Sequence, residues 1–170
     1  MNNRVIVINL EDNGLGEIEQ IRQQYDPLAP AVKAHITLVF PFESDLAADA
    51  LRAHVRQAVQ GIGPFPVQLQ TITGHNGRYL FLNIKQGKNQ LISLHDKLYS
   101  GILNPYRHSF DYLPHVTIGR FQDERTFRKA FAAVQDIDTM WQTTAQKISV
   151  VRTNDNPNHI ETVIELQTNL

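Results

Sequence analysis

The chain has 170 residues, and its hydrophobic content of 42% and charged content of 19% are typical of a folded globular protein rather than a disordered one. Its 16 basic and 17 acidic residues give a formal net charge of -1, which excludes a global basic field for binding duplex nucleic acid. Because the chain has no cysteine, disulfides, thiolate metal sites and cysteine nucleophiles are also excluded.

The length of the chain suits one compact domain or two small lobes that share a core. No run approaches the roughly 18 apolar residues that a membrane-spanning helix needs. The first residues lack the length and the cleavage site of a signal peptide. We therefore expect a cytoplasmic, monomeric protein with no membrane partner.

The first part of the chain predicts two strands that each lead into a helix. The β-branched run Arg4–Leu10 is typical of a buried strand, and a Gly-containing turn separates it from a short helix over Glu17–Tyr25. His35–Phe40 predicts a second strand, which we expect to end at Pro41, and Ser44 can cap the next helix. The apolar residues of that helix are Leu46, Leu51, Val55, Val59 and Ile62.

The middle of the chain predicts a hairpin and a third helix. Val67–Thr73 and Arg78–Lys85 predict strands, and Asn76-Gly77 between them is favoured in tight hairpins because both residues tolerate positive φ. The third helix ends at Asn104-Pro105, and Tyr106–Pro114 predicts a loop because it has no clear period. The apolar residues of the third helix are Leu91, Leu94, Leu98 and Ile102.

The last part of the chain predicts a strand over His115–Phe121, a helix from about Asp123, and two final strands. These final strands, Lys147–Thr153 and Ile160–Leu166, are joined by a turn rich in Asn, Asp and Pro. The predicted order is strand–helix–strand–helix–strand–strand–helix–strand–helix–strand–strand.

The sequence contains an internal repeat. An apolar residue or proline, a histidine, an apolar residue, a threonine and another apolar residue occur in Ala34–Phe40 and again in Pro114–Phe121. Both copies lie on predicted strands that enter helices of similar length. This repetition predicts an α+β fold in which residues 1–170 form a single domain of two pseudo-symmetric lobes.

Each copy of this repeat contains an H-x-T motif. Residues i and i+2 of a strand point to the same face, so His35 projects with Thr37 and His115 projects with Thr117. If the lobes face each other, two imidazoles and two hydroxyls converge on one concave surface. None of the other five histidines is followed by threonine at this spacing. The alternative for each motif is a packed strand histidine beside an ordinary strand threonine.

These residue types suit cleavage of a phosphodiester. In-line displacement at phosphorus deprotonates the attacking oxygen on one side and protonates the leaving oxygen on the other. Histidine has a reference pKa near 6.5 and can fill either role, so His35 and His115 are candidates for the base and the acid. The hydroxyls of Thr37 and Thr117 can donate hydrogen bonds to the non-bridging oxygens. The scheme needs neither a metal nor a cofactor.

At these residues the sequence resembles the 2H phosphoesterase superfamily, in its 2′-5′ RNA ligase-like and cyclic phosphodiesterase branch. The matching segments are HITLVFPF at His35–Phe42 and PHVTIGRF at Pro114–Phe121, whose histidines are 80 residues apart. The resemblance implies a bilobal fold with two mainly antiparallel sheets lining a central cleft and helices outside. It also implies metal-free hydrolysis of 2′,3′-cyclic or related cyclic phosphates on RNA ends or nucleotides.

Further residues are candidates for substrate binding. Arg120 faces away from His115 on an ideal strand, so a phosphate contact needs a bulge near Gly119. Tyr112 and Tyr106, in the loop before the second motif, offer surfaces for stacking a base. Weaker candidates are Lys33, Phe40, Phe42, Tyr79, Arg107 and His108.

We therefore predict a cyclic phosphodiesterase that acts on a small nucleotide or an RNA end. Two alternatives remain open: a non-catalytic module that binds a nucleotide or RNA end, and a 2′-5′ RNA ligase. A metal site built from both motif histidines and a third histidine lacks a nearby carboxylate or H-x-H pair.

Overall fold

The computed structural model describes residues 1–10, 15–154, 156 and 159–168. The predicted turn between the first strand and helix lies mostly outside the described residues, as does most of the turn between the last two strands. Within the described ranges the chain forms eight strands and four α-helices. The strands are β1 (Asn2–Asn9), β2 (His35–Ser44), β3 (Phe65–His75), β4 (Tyr79–Gln86), β5 (His115–Arg120), β6 (Trp141–Ala145), β7 (Lys147–Arg152) and β8 (His159–Glu165). The helices are α1 (Leu15–Tyr25), α2 (Ala48–Ala58), α3 (Lys88–Leu98) and α4 (Glu124–Val134).

The strands form one sheet in the order β6-β3-β4-β5-β2-β1-β7-β8, and all seven neighbouring pairs are antiparallel. The predicted α+β class is confirmed. The two expected sheets are the four-stranded halves of this single sheet. They meet at the β2–β5 junction, where Ile36 pairs with Val116.

The two halves repeat one plan. The succession β1-α1-β2-α2 has the same order of elements as β4-α3-β5-α4, and each first helix packs across the junction, α1 on β5 and α3 on β2. The strand after the first repeat, β3, joins the opposite half by pairing with β4. After the second repeat, β6 stays in the same half, and β7 crosses to pair with β1. The pseudo-two-fold relation therefore passes between the two central strands.

The core lies under the face of the sheet that carries the alternate apolar residues. Ile36 and Leu38 of β2 and Val116 and Ile118 of β5 are 0–1% exposed in this core. These four side chains alternate with the H-x-T residues in sequence. Because the apolar side chains point into the core, the histidines and threonines point to the opposite face.

Several boundaries differ from the prediction. β6 was not predicted, because its five residues include only one large apolar side chain, Trp141. β2 continues through Pro41 to Ser44, which is buried and lies near a guanidinium nitrogen of Arg4, so the predicted Ser44 cap is wrong. The third helix ends at Leu98, and a separate 3₁₀ helix covers Gly101–Tyr106.

Two local predictions are confirmed. Asn76 and Gly77 adopt φ values of 51° and 64° between β3 and β4, as a tight hairpin requires. The helix predicted from about Asp123 is α4, and Asp123 is found to cap it by accepting a hydrogen bond from the Thr126 backbone N–H. Among the described residues, no helix is both long and apolar enough to cross a membrane.

Candidate active site

The two H-x-T motifs lie side by side at the centre of the sheet. Pairing of Ile36 with Val116 places His35 beside Thr117 and Thr37 beside His115 on the antiparallel strands. Residues 34–40 and 114–120 share the same alternation of buried and partly buried side chains. The structure thus brings all four motif side chains to one face, opposite the core.

Each motif histidine has its ring fixed by a backbone carbonyl two residues earlier. The Nδ1 atom of His35 lies 2.8 Å from the Lys33 oxygen, and that of His115 lies 2.6 Å from the Leu113 oxygen. A carbonyl only accepts hydrogen bonds, so Nδ1 carries the proton and donates it in both rings. The Nε2 atom of each ring is left to exchange a proton with a ligand.

Burial disfavours the charged form of both rings. It is the main cause that lowers the pKa of His115 from 6.5 to about 4, and the nearby His75, His35 and Arg120 lower it further. Burial also lowers the pKa of His35, with added contributions from Arg22 and Arg120. Both imidazoles are therefore neutral at neutral pH in the free protein.

Matching β-bulges follow the two motifs. Val7 pairs with Thr37 and Ile6 with Val39, so Leu38 is an extra residue in β2. In the same way Phe81 pairs with Thr117 and Leu80 with Gly119, which leaves Ile118 as an extra residue in β5. Both extra residues point into the core, and each bulge shifts the alternation of side chains by one position.

The bulge in β5 turns Arg120 to the face of His115 and Thr117. Arg120 pairs with Tyr79, which lies on the same face of β4 as Phe81, the partner of Thr117. The bulge that a phosphate contact by Arg120 requires is therefore present. The contact itself stays a prediction.

Arg120 belongs to a buried charge network with α1. Its guanidinium donates a hydrogen bond to Asp26, and Arg22 donates to the other oxygen of the same carboxylate at 2.9 Å. The Asp26 side chain is fully buried, whereas that of Arg120 is 29% exposed. Burial acts to raise the pKa of Asp26, but the hydrogen bonds and charge of Arg120, together with Arg22, hold this pKa below its usual value.

Tyr112 supports the first motif from across the junction. Its hydroxyl donates a hydrogen bond to the Thr37 carbonyl at 2.7 Å, and its ring stacks on His95 with centroids 3.8 Å apart. His95 in turn donates from Nδ1 to the Leu38 carbonyl at 2.8 Å. One face of the Tyr112 ring is therefore occupied, and base stacking on this residue stays a prediction.

Sequence reasoning missed the neighbours that β1 and β4 supply. Phe81 of β4 stacks on His115 with ring centroids 3.5 Å apart, and His75, at the end of β3, stacks on Phe81 at 4.9 Å. Asn9 lies opposite His35, just as Asn83 lies opposite His115. Only the pairing of strands reveals these neighbours, and no local motif marks them.

The two asparagines make equivalent hydrogen bonds. Asn9 Nδ2 donates to the Ser149 hydroxyl at 3.3 Å, and Asn83 Nδ2 donates to the Thr73 hydroxyl at 3.1 Å. Asn83 also donates to the carbonyl of Thr71, whose φ of 72° is unusual for a β-branched residue. Each motif histidine therefore has an asparagine–hydroxyl pair on the adjacent strands.

The remaining candidates have other contacts. Arg107 forms an ion pair with Asp96, Tyr106 packs on Phe42, and Lys33 contributes the carbonyl that orients His35. Within the ranges that the structure describes, no three histidine, aspartate or glutamate side chains cluster as metal ligands would.

A single antiparallel sheet whose two central strands each present an H-x-T pair defines a protein of the 2H phosphoesterase class. The family model described as "2'-5' RNA ligase superfamily" matches residues 10–157, and the chain belongs to this superfamily.

Known relatives and solved structures agree with this assignment. A Geobacillus kaustophilus protein that carries phosphoesterase as a provisional name is 23% identical over 132 residues, which cover 76% of each chain. The protein TT0787 of Thermus thermophilus superimposes with a TM-score of 0.69 at 12% identity, over 99% of this chain and 100% of the other. E. coli LigT in complex with 3'-AMP superimposes with a TM-score of 0.62 at 18% identity, over 98% and 95%. The structural likenesses show a shared fold.

Proposed function

We propose that the chain is a cyclic phosphodiesterase that hydrolyses 2′,3′-cyclic phosphates of nucleotides or RNA ends without a metal. The observation that carries this proposal is the matched pair of histidines on one face. Each has its Nδ1 proton tied to a carbonyl and its Nε2 atom available. Two such nitrogens on neighbouring strands can serve as the base and the acid of one in-line displacement.

The threonines complete the site. Thr37 lies beside His115, and Thr117 lies beside His35, so each hydroxyl is adjacent to the imidazole of the opposite motif. Hydroxyl donors in this arrangement can hold the non-bridging oxygens while negative charge is redistributed during attack. We expect Thr→Ala changes to reduce turnover less than His→Ala changes, because the proton transfers would remain.

The substrate class follows from the charge of the chain and from its relatives. A near-neutral chain is better suited to a nucleotide or a short RNA end than to a long duplex. LigT, which has this fold, has been solved in complex with 3'-AMP, with NADP+ and with ATP, and these small nucleotides support a ligand of the same kind here. Family membership also supports the phosphoesterase class.

The decisive experiment incubates the protein with adenosine 2′,3′-cyclic phosphate and follows the formation of the monophosphate in the presence of EDTA. Wild type should turn over, and His35→Ala and His115→Ala should each lose on the order of 10²-fold or more. His159→Ala is the matched control, because His159 is an exposed histidine at the start of the edge strand β8.

Each other outcome points to a different function. Binding of the cyclic nucleotide without product would favour a non-catalytic binding module. Joining of RNA ends without hydrolysis would favour a ligase. Loss of activity in EDTA that a divalent cation restores would overturn the metal-free mechanism.

A further inference from the structure

The two halves of the site place different side chains at equivalent positions. Phe40 and Arg120 each come five residues after a motif histidine, and the matching bulges turn both to the site face. The Phe40 backbone N–H donates to the Tyr99 hydroxyl at 3.0 Å, whereas the Arg120 side chain donates to Asp26. Tyr99 directly follows α3, and Asp26 directly follows α1. The side of the site marked by Phe40 therefore carries aromatic rings, and the side marked by Arg120 carries charged groups.

The direction of the strands assigns each histidine to one of these ends. β2 and β5 are antiparallel, so Phe40 lies beyond Thr37 at the end of the site where His115 stands. Arg120 lies beyond Thr117, at the end of His35. The electrostatic neighbours agree: Arg120 acts on the pKa of both histidines, but Arg22 and Asp26 are causes of the shift for His35 and not for His115.

The end marked by Phe40 presents exposed rings. Phe110 is 54% exposed and packs edge-on against Phe40 with centroids 5.1 Å apart. His108 is also exposed, stacks on Phe110 at 5.0 Å and meets the edge of Phe40 at 5.6 Å. We call these three residues the ring surface. Every nucleobase can stack on such rings, because stacking does not depend on the hydrogen-bonding groups of the base.

The side of the site marked by Arg120 also carries an exposed ring, Tyr79. Tyr79 pairs with Arg120 and is 38% exposed, so it also could contact a base. Tyr79 lies beside a guanidinium and contacts Phe81, a buried ring that already stacks on His115 and His75. In the ring surface, by contrast, Phe110 is 54% exposed. We therefore favour the ring surface and treat Tyr79 as the alternative that the experiment excludes.

We propose that the nucleoside of the substrate binds on the ring surface, so that His115 protonates the leaving ribose oxygen and His35 accepts the proton of the attacking water. This orientation rests on the proposed hydrolysis of cyclic phosphates. In-line attack comes from the side opposite the leaving oxygen, which is the side of His35.

The proton transfers balance over one turnover. A new P–O bond forms to the water oxygen as the P–O bond to the ribose oxygen breaks. The water proton moves to Nε2 of His35, and the Nε2 proton of His115 moves to the ribose oxygen. The product is a ribose monophosphate with one free hydroxyl, and exchange with solvent restores both rings.

The first test measures the preference for a base. The kcat/KM for adenosine 2′,3′-cyclic phosphate is divided by that for methyl riboside 2,3-cyclic phosphate, which lacks the base. This ratio should fall on the order of 10-fold in Phe110→Ala and recover in Phe110→Tyr, because an aromatic ring is what a base needs for stacking. Met140→Ala is the matched control, since Met140 is 50% exposed and lies in the segment between α4 and β6. A fall in Tyr79→Ala but not in Phe110→Ala would overturn the proposal.

The second test assigns the proton roles from the pH dependence of residual activity on the cyclic nucleotide. His115→Ala should lose the fall in rate at alkaline pH, because no donor has to stay protonated. His35→Ala should keep that fall and lose the fall at acidic pH. If instead His35→Ala lost the fall at alkaline pH and His115→Ala lost the fall at acidic pH, the proposed orientation would be wrong. The proposed phosphoesterase activity would still stand. No turnover by wild type would instead refute the proposed function itself.

Discussion

Each motif imidazole is controlled by a carbonyl and by burial. The carbonyls of Lys33 and Leu113 fix the Nδ1 proton, so only Nε2 can exchange protons with a ligand. Burial lowers the pKa of His115 to about 4. An acid in the mechanism must nevertheless be charged when the substrate is bound. The negative charge of a phosphodiester would raise the pKa of an adjacent imidazole, so substrate binding itself would supply the proton donor.

The depressed pKa of His115 has a consequence for folding. Its pKa is about 4 in the folded protein and near 6.5 when unfolded, so the unfolded chain binds more protons between these values. Stability is therefore fully present above pH 6.5 and is lost as pH falls toward 4, by as much as about 3 kcal/mol. Urea unfolding at pH 7 and pH 4.5 should show a smaller loss for His115→Gln than for wild type. Equal losses would contradict the shift, and His159→Ala should behave as wild type.

Asp26 is a buried carboxylate that lies between two guanidinium groups. Asp26→Asn should lower the free energy of unfolding by about 1–3 kcal/mol, because the charge-assisted hydrogen bonds from Arg22 and Arg120 weaken while Glu19 still pairs with the buried Arg22. Adding Arg120→Met should recover part of that loss in a double-mutant cycle of denaturant unfolding. Glu124→Gln breaks the exposed pair with Arg128 and should cost less than about 1 kcal/mol. An Asp26→Asn loss as small as that of Glu124→Gln would contradict the role of burial.

The bulges decide which residues of β2 and β5 share the site. Without the extra residue Ile118, Arg120 would point into the core and Gly119 would share the face of His115. Gly119 permits this geometry because a Cβ there would lie 2.9 Å from the Phe121 ring and 3.1 Å from Leu80. A small residue at this position and an extra residue before it thus act together.

Gly119→Ala should therefore destabilise the protein by about 1–3 kcal/mol through overpacking and should also lower kcat/KM, because Arg120 and Thr117 would shift with the strand. Gly16→Ala is the matched control. It lies in α1, where no atom of the described residues comes within 4 Å of the new methyl group, and it should stabilise the protein by about 0.5–1 kcal/mol. Thermal unfolding and steady-state kinetics test both variants. A neutral Gly119→Ala would show that the bulge tolerates a side chain.

Local patterns predicted most elements, because alternating or helical periodicity survives in the sequence. The H-x-T pairs, the Asn76-Gly77 hairpin and the helix start near Asp123 are signals of a few adjacent residues. Local patterns could not predict the contact of Phe81 with His115, because that contact depends on which strands pair and in what register. The short strand β6 was missed for a related reason: its place in the sheet comes from pairing with β3 rather than from a strong apolar pattern.

The polypeptide chain crosses from each half of the sheet into the other. β3 follows the first repeat but lies in the half of the second motif, and β7 follows the second repeat but lies beside β1. Separating the halves would expose the apolar faces of β2 and β5 and would remove a strand from each. We therefore expect both halves to unfold in one cooperative step.

Trp141 permits a test of this cooperativity because it is the only tryptophan and lies on β6, at the far edge of the second half. Ile148→Ala removes a fully buried side chain from β7 in the first half and should cost about 2–5 kcal/mol. Because the halves share strands, the unfolding midpoint from Trp141 fluorescence should fall as far as the midpoint from far-ultraviolet circular dichroism. If the fluorescence midpoint stayed at its wild-type value while the dichroism midpoint fell, the halves would unfold independently. The strands that cross between the halves would then not couple their unfolding, and a mutation in one half could unfold that half and disrupt its motif while the other half stayed folded.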